Sequence, residues 1–408
     1  MKKPPELSSP ALDTSSLKSP TRRFAIAAPF ALASFASSAA FAAESEQEDE
    51  QDNSRARAAG VVFAMSNVTA ANRIFVYRRS DDGQLSRVGN VRTRGLGIGT
   101  DTDTQGPLRL GPDNRFLYAV NAGSDDISVF AVDGTHLNFV QKIYAGDEPL
   151  SLTLYGDLLY VLNGSVAGNG IRGFKVANNG RLTALPDSFR ALSSPIAVPG
   201  GIDFSPSGKF ILVTHKATNV LLTPMHTIDG FTVGADGYAS ATPVANASFG
   251  VRPFSLAFRN DGKVIAVESF NAAPNRSAAS SYNSFPDARL NVISGSVPNN
   301  QTDTCWIVVS KDQRFAFTAN FGSGTISSYR IEQSGAISLL AGVAASTGVT
   351  SQPVDLALSA DGKFLFLLLR GLGGVASFQI EANGALTPRG IVVGGLPVND
   401  GASGLAAY

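Results

Sequence analysis

The sequence repeats one unit, a pair of apolar segments joined by a short polar turn. One copy is LRLGPDNRFLYAVNAGSDDISVFAV at 108–132, and another is VDLALSADGKFLFLLLRGLGGVASFQI at 354–380. In each copy, apolar residues alternate or run on for about five positions on both sides of an Asp, Asn or Gly turn, as in a β-hairpin. Copies recur at spacings of about 45 to 55 residues. The repeat therefore predicts a chain built from many antiparallel hairpins.

Each copy continues into a third and a fourth strand. ISVFAV from Ile127 and VASFQI from Val375 extend the hairpin, and a turn containing Gly introduces a further strand, as in NNGRLTALPD at 178–187. Four-stranded sheets at this period pack face to face around an axis. The predicted fold is all-β, a seven-bladed β-propeller with four antiparallel strands per blade.

The two ends of the repeat predict how the ring closes. VVFAMSNVTAANRIFVYRR at 61–79 supplies a second and a third strand, QLSRVGNV supplies a fourth, and the first strand is missing. GASGLAAY at 401–408 is a short apolar strand without a hairpin partner. We expect this C-terminal strand to join the first blade, which removes an exposed sheet edge. Residues 60–408 are thus predicted to form one propeller domain.

Residues 1–42 are typical of an export signal. Arg22 and Arg23 precede an Ala-rich apolar run from Phe24 that ends in Ala-Phe-Ala, a sequence that suits signal peptidase. The arginine pair fits the twin-arginine route as well as general export. A retained transmembrane anchor is the alternative, but the run contains a proline and several serines and is barely long enough. We expect a cleaved signal, an acidic disordered leader at 43–59, and a periplasmic or secreted protein.

The charge balance excludes several classes of partner. The chain carries 33 Lys and Arg against 33 Asp and Glu, and removal of the signal leaves a small acidic excess. Because no basic face is evident, we expect no nucleic-acid partner, and no membrane span after cleavage. Cys305 is the only cysteine, so no intrachain disulfide can form, and we expect a buried thiol. A monomer is expected.

Motifs for metals and cofactors are missing from the sequence. The three histidines, His136, His215 and His226, have no second ligand at a zinc spacing. No G-x-S-x-G elbow or phosphate-binding glycine loop occurs. The segment Asp101–Thr104 alternates carboxylates as a Ca²⁺ loop does, but it lacks the further oxygen ligands, and a solvated loop is the favoured interpretation. We expect no metal and no cofactor.

The hairpins resemble those of a known family. The runs that carry the resemblance are PDNRFLYAVN from Pro112, SPSGKF from Ser205, SADGKF from Ser359 and the closing GASGLAA. They are similar to the seven-bladed propeller lactonases, which include 6-phosphogluconolactonases and carboxymuconate lactonizing enzymes, over nearly all of residues 60–408. The resemblance implies a lactonase or a lactonizing cycloisomerase. It also implies catalytic groups on one face of the ring, at the starts of first strands and the ends of second strands.

Most polar positions of that family are not filled here. They fall on Gly200, Phe254, Phe270 and Phe321. Two polar residues lie two positions early, Arg252 before the first strand of blade five and Glu268 at the end of its second strand. Both reach the same face if that blade carries compensating bulges.

The ends of the second strands supply further candidates. They hold Asn67, Asn121, Asn163, His215, Ser269, Asn320 and Leu369, with Arg370 just beyond. Asn tolerates left-handed backbone at turns, which accounts for many of these residues without a ligand. From this set we predict ligand binding by Asn121, Asn163 and Asn320. Asp355 is added because an acid near the channel axis is costly without a partner or a ligand.

Two classes of function follow. In the first, His215 or Glu268 acts as the general base of a lactonase, and Arg252 or Arg370 stabilises the carboxylate or oxyanion. In the second, the propeller binds a small molecule or an envelope partner without chemistry. The expected ligand is a small polar or acidic molecule, such as a lactone or a sugar acid. The insertion NAAPNRSAASSYNSFPDA at 271–288 is either a lid over the ligand or a tolerated surface insertion.

Overall fold

A computed structural model describes residues 59–165, 168–217 and 226–408 of the chain. The predicted signal and all but the last residue of the predicted leader lie outside the described residues. Helical structure within the described ranges consists of three single 3-10 turns, Phe270–Ala272, Val349–Ser351 and Arg370–Leu372. None of these helices has the length and hydropathy that a bilayer span requires.

The strands form seven antiparallel sheets, the blades of the propeller. In chain order they are β1 (Gly60–Met65), β2 (Arg73–Arg79), β3 (Leu85–Arg92), β4 (Leu108–Leu110), β5 (Phe116–Asn121), β6 (Asp126–Asp133), β7 (His136–Tyr144), β8 (Pro149–Tyr155), β9 (Leu158–Asn163), β10 (Gly170–Val176), β11 (Leu182–Ala184), β12 (Arg190–Ala191), β13 (Val198–Phe204), β14 (Phe210–Ala217), β15 (Thr227–Thr232), β16 (Val244–Ala247), β17 (Pro253–Phe258), β18 (Val264–Glu268), β19 (Ala278–Ser284), β20 (Leu290–Pro298), β21 (Thr304–Val309), β22 (Phe315–Asn320), β23 (Thr325–Ile331), β24 (Ile337–Ser346), β25 (Pro353–Leu358), β26 (Phe364–Leu369), β27 (Gly374–Ile380), β28 (Leu386–Val393) and β29 (Leu405–Ala407).

Six blades are each made of strands consecutive in sequence, and the first blade closes the ring. Its order is β29-β1-β2-β3, with Leu405–Ala407 paired antiparallel to Val62–Ala64. In blade three, β11 and β12 both pair with β10, so its fourth strand is broken in two. The predicted all-β fold, with seven blades of four antiparallel strands and a C-terminal strand in the first blade, is confirmed.

The innermost strands surround a central channel. Contacts run from β29 to β4, β8, β13, β17, β21 and β25 and back to β29, which makes a closed ring. Buried apolar clusters lie between successive blades, where the sheets pack face to face. The propeller thus buries both faces of every sheet and leaves the channel as the place where inner-strand edges meet solvent.

The turns between first and second strands explain why the hairpins form. In four blades an Asp side chain accepts the backbone N–H two residues later, at 3.1 Å in each case. A left-handed residue precedes that N–H, for example Gly262 (φ 87°) and Gly362 (φ 70°). An Asp followed by Gly or Asn is suited to this geometry, because the carboxylate caps the turn and the next residue tolerates positive φ.

The insertion at 271–288 is largely regular structure. Residues Ala278–Ser284 form β19, the third strand of blade five, which pairs with β18 and β20. Neither a lid nor a tolerated surface insertion describes residues 278–284, which belong to the sheet. Ala278, Ala279 and Tyr282 of this strand are buried in the blade, so the strand is needed to complete the sheet, whereas Phe285 beyond it is 37% exposed.

Candidate functional site

Five neighbouring inner strands carry a register shift near their first residues. The shifts fall after Pro149 in β8, Pro199 in β13, Pro253 in β17, Thr304 in β21 and Val354 in β25. Such bulges bend a strand and re-aim its side chains, and they are frequent beside functional sites. The starts of these strands form one end of the channel, which we call the channel mouth.

Residues 99–106, which connect β3 to β4, fill the channel mouth, and we call them the mouth loop. Asn67 donates through Nδ2 to a backbone carbonyl of this loop at 2.6 Å, and Ser403 Oγ accepts the Thr102 N–H at 2.9 Å. Thr102 and Thr104 are both buried. The interpretation of Asp101–Thr104 as a solvated loop is therefore wrong for the two threonines, while the Asp103 side chain remains 47% exposed. Ring closure brings the C-terminal segment against the loop and buries Thr102.

Gln105 of the mouth loop lies inside the channel and bonds to the inner strands around it. Its backbone N–H donates to the Gly200 carbonyl at 3.0 Å, and its carbonyl accepts the Ser151 hydroxyl. Its side chain crosses to blades five and six, where Nε2 donates to the Leu256 carbonyl at 3.3 Å and Oε1 accepts the Ile307 N–H at 2.9 Å. One glutamine therefore joins four blades.

Three cationic side chains surround the mouth loop: Lys216, Arg252 and Arg370, which we call the mouth cations. Lys216 Nζ donates to the Asp103 carboxylate at 2.5 Å and to the Asp103 carbonyl. Arg252 lies 3.9 Å from the same carboxylate, and Arg370 donates to the carboxylate of Asp101. Arg252 and Arg370 were predicted from the sequence as site residues, and the structure places both at the channel mouth.

The mouth cations lie on a row of aromatic rings. Lys216 Nζ is 4.9 Å from the centre of the Phe254 ring, and the Arg370 guanidinium is 4.8 Å from that of Phe321. Trp306 stands between the two rings, at centroid distances of 5.0 Å and 6.4 Å. Cations are attracted to aromatic faces, most strongly where water is excluded. Phe254 and Phe321, at two positions where the family resemblance implies polar groups, thus support cations that arrive from other positions.

The glycine at position 200 is a steric requirement. A Cβ atom built there would lie 1.9 Å from the Phe254 carbonyl oxygen and 2.9 Å from Lys216 Cγ. No side chain fits, so the histidine that the family resemblance implies at this position has no room. The backbone carbonyl of Gly200 is instead used by Gln105.

Burial shifts the ionisation of the groups at the mouth. It lowers the pKa of Lys216, and the neighbouring Asp103 opposes this shift. It raises the pKa of Asp303, which lies 3.6 Å from Arg252, and that guanidinium opposes the shift. Burial also raises the pKa of Cys305 well above its usual value, so this residue remains a buried thiol, as predicted. The three mouth cations face three carboxylates, and the cluster is formally neutral.

His215 lies inside blade four rather than at the mouth. Its Nε2 is 2.9 Å from the Asp229 carboxylate on β15, and both side chains are fully buried. The same carboxylate accepts the Ser193 N–H at 2.7 Å. A substrate in the channel touches neither group in this conformation.

Glu268 is equally enclosed in blade five. Its carboxylate accepts hydrogen bonds from the Ser280 and Ser296 hydroxyls and from the Gly250 N–H, and its exposure is 0%. Burial raises its pKa, and these three donors oppose the shift. The structure therefore does not bring His215 and Glu268 together with Arg252 and Arg370.

The three predicted ligand-binding asparagines are fully or almost fully buried. Asn121 donates to Asp126 and Ser128 of its own blade, and Asn320 makes the corresponding bonds to Thr325 and Ser327. Asn163 donates to a backbone carbonyl at the start of the segment before β8. Asn121 and Asn320 fasten second strands to third strands, and Asn163 fastens a second strand to the connection between blades two and three. They do not form a continuous collar around the mouth.

Asp355 occupies the register shift of β25 and is nearly fully buried. Its carboxylate accepts the N–H groups of Leu356 at 3.0 Å and Leu405 at 3.1 Å. Its backbone has φ 33°, an uncommon conformation for a residue with a side chain. Asp355 thus satisfies inner-strand amides where blade seven meets the C-terminal strand.

The opposite end of the channel is open. A cavity of about 420 Å³ is lined by Gln105, Arg109, Asp203, apolar residues of the inner strands, and polar residues of the hairpin turns of blades five and six. The Arg109 guanidinium lies 4.0 Å from the Asp203 carboxylate. Gln105 therefore separates this cavity from the channel mouth.

Lys216 was not identified from the sequence as a site residue, and the sequence did not predict that the mouth loop lies in the channel mouth. Lys216 directly follows His215 on β14, and its ammonium group is almost completely buried. A lysine within a strand that otherwise reads FILVTH is the available signal, because a buried cation needs a partner. Across the described ranges, no group of three His, Cys, Asp or Glu side chains is placed to hold a metal.

Comparison with solved structures agrees on the fold. A candidate 6-phosphogluconolactonase of Bacteroides fragilis is 18% identical, with a TM-score of 0.64 over 86% of this chain and 98% of its own. A second from Bacteroides uniformis is 16% identical, with a TM-score of 0.65 over 84% and 98%. The periplasmic gluconolactonase of Pseudomonas aeruginosa is 16% identical, with a TM-score of 0.58 over 84% and 99%.

Sequence comparison gives the family. No curated protein shows significant similarity to the chain. The family model described as lactonase, seven-bladed β-propeller, matches residues 62–199 and 222–355, which together make up more than half of the sequence. The chain therefore belongs to the seven-bladed β-propeller lactonase family.

Proposed function

We propose that the protein binds a small acidic molecule at the channel mouth through Lys216, Arg252 and Arg370. The observation that carries the proposal is the convergence of these three cations, which come from blades four, five and seven, on one aromatic surface. Guanidinium and ammonium groups form their strongest hydrogen bonds with carboxylate or phosphate oxygens. A sugar acid or a lactone that bears an acidic group is the expected ligand.

Lactone hydrolysis is the second part of the proposal, and Asp303 favours it. This carboxylate has a raised pKa and lies beside Arg252 at the mouth, so a base and an electrostatic stabiliser are adjacent. Asp303 takes a proton from water as the water oxygen attacks the lactone carbonyl carbon, and Arg252 stabilises the oxyanion. The ring C–O bond then breaks, and its oxygen accepts the proton to give the hydroxy acid.

His215 and Glu268 have no direct part in this chemistry. Their carboxylate and hydroxyl partners hold them inside blades four and five. We propose that they act as positioning residues. His215 directly precedes Lys216 on β14, and Glu268 on β18 pairs with Pro253, the residue after Arg252. The alternative, a binding propeller without catalysis, shares the same mouth cations and differs only in turnover.

One series of measurements tests binding and hydrolysis. D-gluconate is titrated calorimetrically, and D-glucono-δ-lactone turnover is followed by acid release. Replacement Arg252→Gln removes one charge-assisted contact, and we expect Kd to rise about tenfold. Asp303→Asn should leave binding within about twofold and lower kcat by about 100-fold.

Arg289→Gln is the matched control, because Arg289 pairs with Asp287 in an exposed turn far along blade five. If Arg252→Gln and Arg289→Gln bind gluconate equally, the mouth is not the site. Binding without turnover in the unmodified protein supports the non-catalytic alternative.

We also propose export to the periplasm or the medium after cleavage following Ala42. The support is the sequence pattern of residues 1–42, together with the structural similarity to a periplasmic gluconolactonase of Pseudomonas aeruginosa. Mass spectrometry of the protein recovered from the cell envelope should give an N-terminus at Ala43. Recovery of the intact chain from the cytoplasm contradicts the proposal.

A further inference from the structure

We propose that the mouth loop is an internal competitor, so that the carboxylates of Asp101 and Asp103 occupy the acid-binding positions of the mouth until a ligand displaces them. The inference rests on the proposed binding function and adds its regulation. Both carboxylates take the place that an acidic ligand would take, with Arg370 bound to Asp101, and Lys216 and Arg252 facing Asp103.

The charge of the mouth depends on this segment. With the loop in place, three cations face Asp101, Asp103 and Asp303. With residues 101–103 withdrawn, only Asp303 remains, and the mouth carries two uncompensated positive charges. Lys216 is then a buried ammonium group without its carboxylate, which is costly unless another anion arrives. The closed mouth is therefore neutral and filled, and the open mouth is a strong anion site.

The mouth loop has two differently held parts. Thr104 to Gly106 is fixed in the channel by hydrogen bonds to the inner strands, through Gln105 and through the Leu152 N–H, which donates to Gly106 at 3.1 Å. Residues 99 to 103 lie above it. They are held by the ion pairs of Asp101 and Asp103, and by hydrogen bonds from Asn67 to the loop backbone and from the Thr102 N–H to Ser403. Gly99 (φ 77°) and Asp103 (φ 49°) bound this outer part, and their left-handed backbone marks places where the chain direction changes. The outer part can move while Gln105 stays in place.

Competition of this kind has a measurable consequence. A ligand that binds only the open state has an apparent affinity reduced by the fraction of molecules in that state. Weakening the ionic contacts of the loop therefore tightens ligand binding, although it removes contacts from the folded protein. A loop that serves only to support the fold has no such effect.

The experiment measures D-gluconate binding by calorimetry in three variants. Asp101→Asn removes one carboxylate while Gln352 still accepts hydrogen bonds from Arg370 at 2.8 and 3.0 Å, so folding should be retained. We expect Kd to fall about threefold to tenfold. The double variant with Asp103→Asn should bind more tightly still. Asp312→Asn, in an exposed turn of blade six, is the control and should leave Kd unchanged.

Amide hydrogen exchange of the unmodified protein provides a second measurement that does not depend on the variants. Gluconate should speed exchange of the Thr102 amide, which donates to Ser403, because the ligand expels the outer part of the loop. The Gln105 amide, which donates to Gly200, should remain protected.

Three outcomes distinguish the competitor role of the mouth loop from ligand binding at the mouth. If gluconate binds equally to the unmodified protein and both loop variants, and protects Thr102, the competitor role is overturned while binding stands. If gluconate binds to none of them, the proposed function fails and this inference fails with it. Tighter binding with faster Thr102 exchange supports both.

Discussion

At the scale of the residue, the site contains charged groups, but they come from positions other than those that the family resemblance implies. Three of the four places where the family resemblance implies polar groups hold Gly200, Phe254 and Phe321, and from the sequence alone the catalytic groups are missing there. In the structure, two of these residues are rings beneath cations, and the third is the only residue small enough to let Gln105 and Lys216 approach. Arg252 and Arg370 could be predicted because arginine near a strand end is conspicuous. The use of phenylalanine as their support could not, because the same residue is typical of a core.

Asp355 gives the prediction at this scale. Burial raises its pKa from 3.8 to about 6, and Arg109 opposes the shift. The folded protein therefore holds this proton more tightly than the unfolded chain does, and the free energy of unfolding falls as pH rises from about 4 to about 6. The size of the shift corresponds to about 3 kcal/mol.

Urea unfolding of the unmodified protein and of Asp355→Asn across pH 4 to 7 measures this contribution. The loss of stability over that range should be about 3 kcal/mol smaller in the variant, which cannot titrate at this position. Parallel curves for the two proteins would show that Asp355 ionises normally.

At the scale of the element, the strands build the blades, and register shifts in the inner strands shape the channel mouth. The alternation of apolar residues and the Asp-containing turns build each blade, and both are local features that the sequence displays openly. The register shifts after Pro149, Pro199 and Pro253 shape the mouth, and a local pattern does not reveal them. A single added residue moves all following side chains to the other face of a strand. This is why Arg252 reaches the mouth while Glu268, its near neighbour across the hairpin, is sealed inside blade five.

The C-terminal strand provides the second prediction. Leu405 is buried in the inner strand that closes the first blade, and its N–H is bonded to Asp355. Leu405→Ala should lower the free energy of unfolding by about 2 to 4 kcal/mol, since truncation leaves a cavity where the ring closes. Val398→Ala, at a position that is 58% exposed just before the strand, should change it by less than about 0.5 kcal/mol. Equal effects in thermal or urea unfolding would show that the closure does not bear on stability.

At the scale of the whole molecule, the mouth loop ties the ring together. It receives contacts from Asn67 in blade one, from the C-terminal segment and from the inner strands of blades three to six, and Arg370 of blade seven binds its outer part. The same loop divides the channel into a filled mouth and an open cavity of about 420 Å³. Stability and access are therefore coupled in one segment.

Gln105 provides the prediction at this scale. Gln105→Ala removes both side-chain bonds across the channel and leaves the Ile307 N–H without its acceptor. We expect a loss of about 1 to 3 kcal/mol in the free energy of unfolding, together with faster hydrogen exchange of the Ile307 amide in blade six. Gln84→Ala, whose side chain bonds only to Asp82 on the surface, should have little effect on either. If the Ile307 amide keeps its protection in Gln105→Ala, the cross-channel bridge is not a support of the ring.

The blades, their number and the strand that closes the ring could all be predicted from the sequence, because hydrophobic alternation and turn residues act over a few neighbouring positions. The sequence also indicated Arg252 and Arg370 as site residues. The composition of the site becomes visible only in the folded ring, since its contacts join distant parts of the chain. Arg370 binds a carboxylate 269 residues away, and Lys216 binds one 113 residues away. Such contacts depend on ring closure and on bulges in five separate strands. No local pattern records where a connecting loop will lie once the ring has formed.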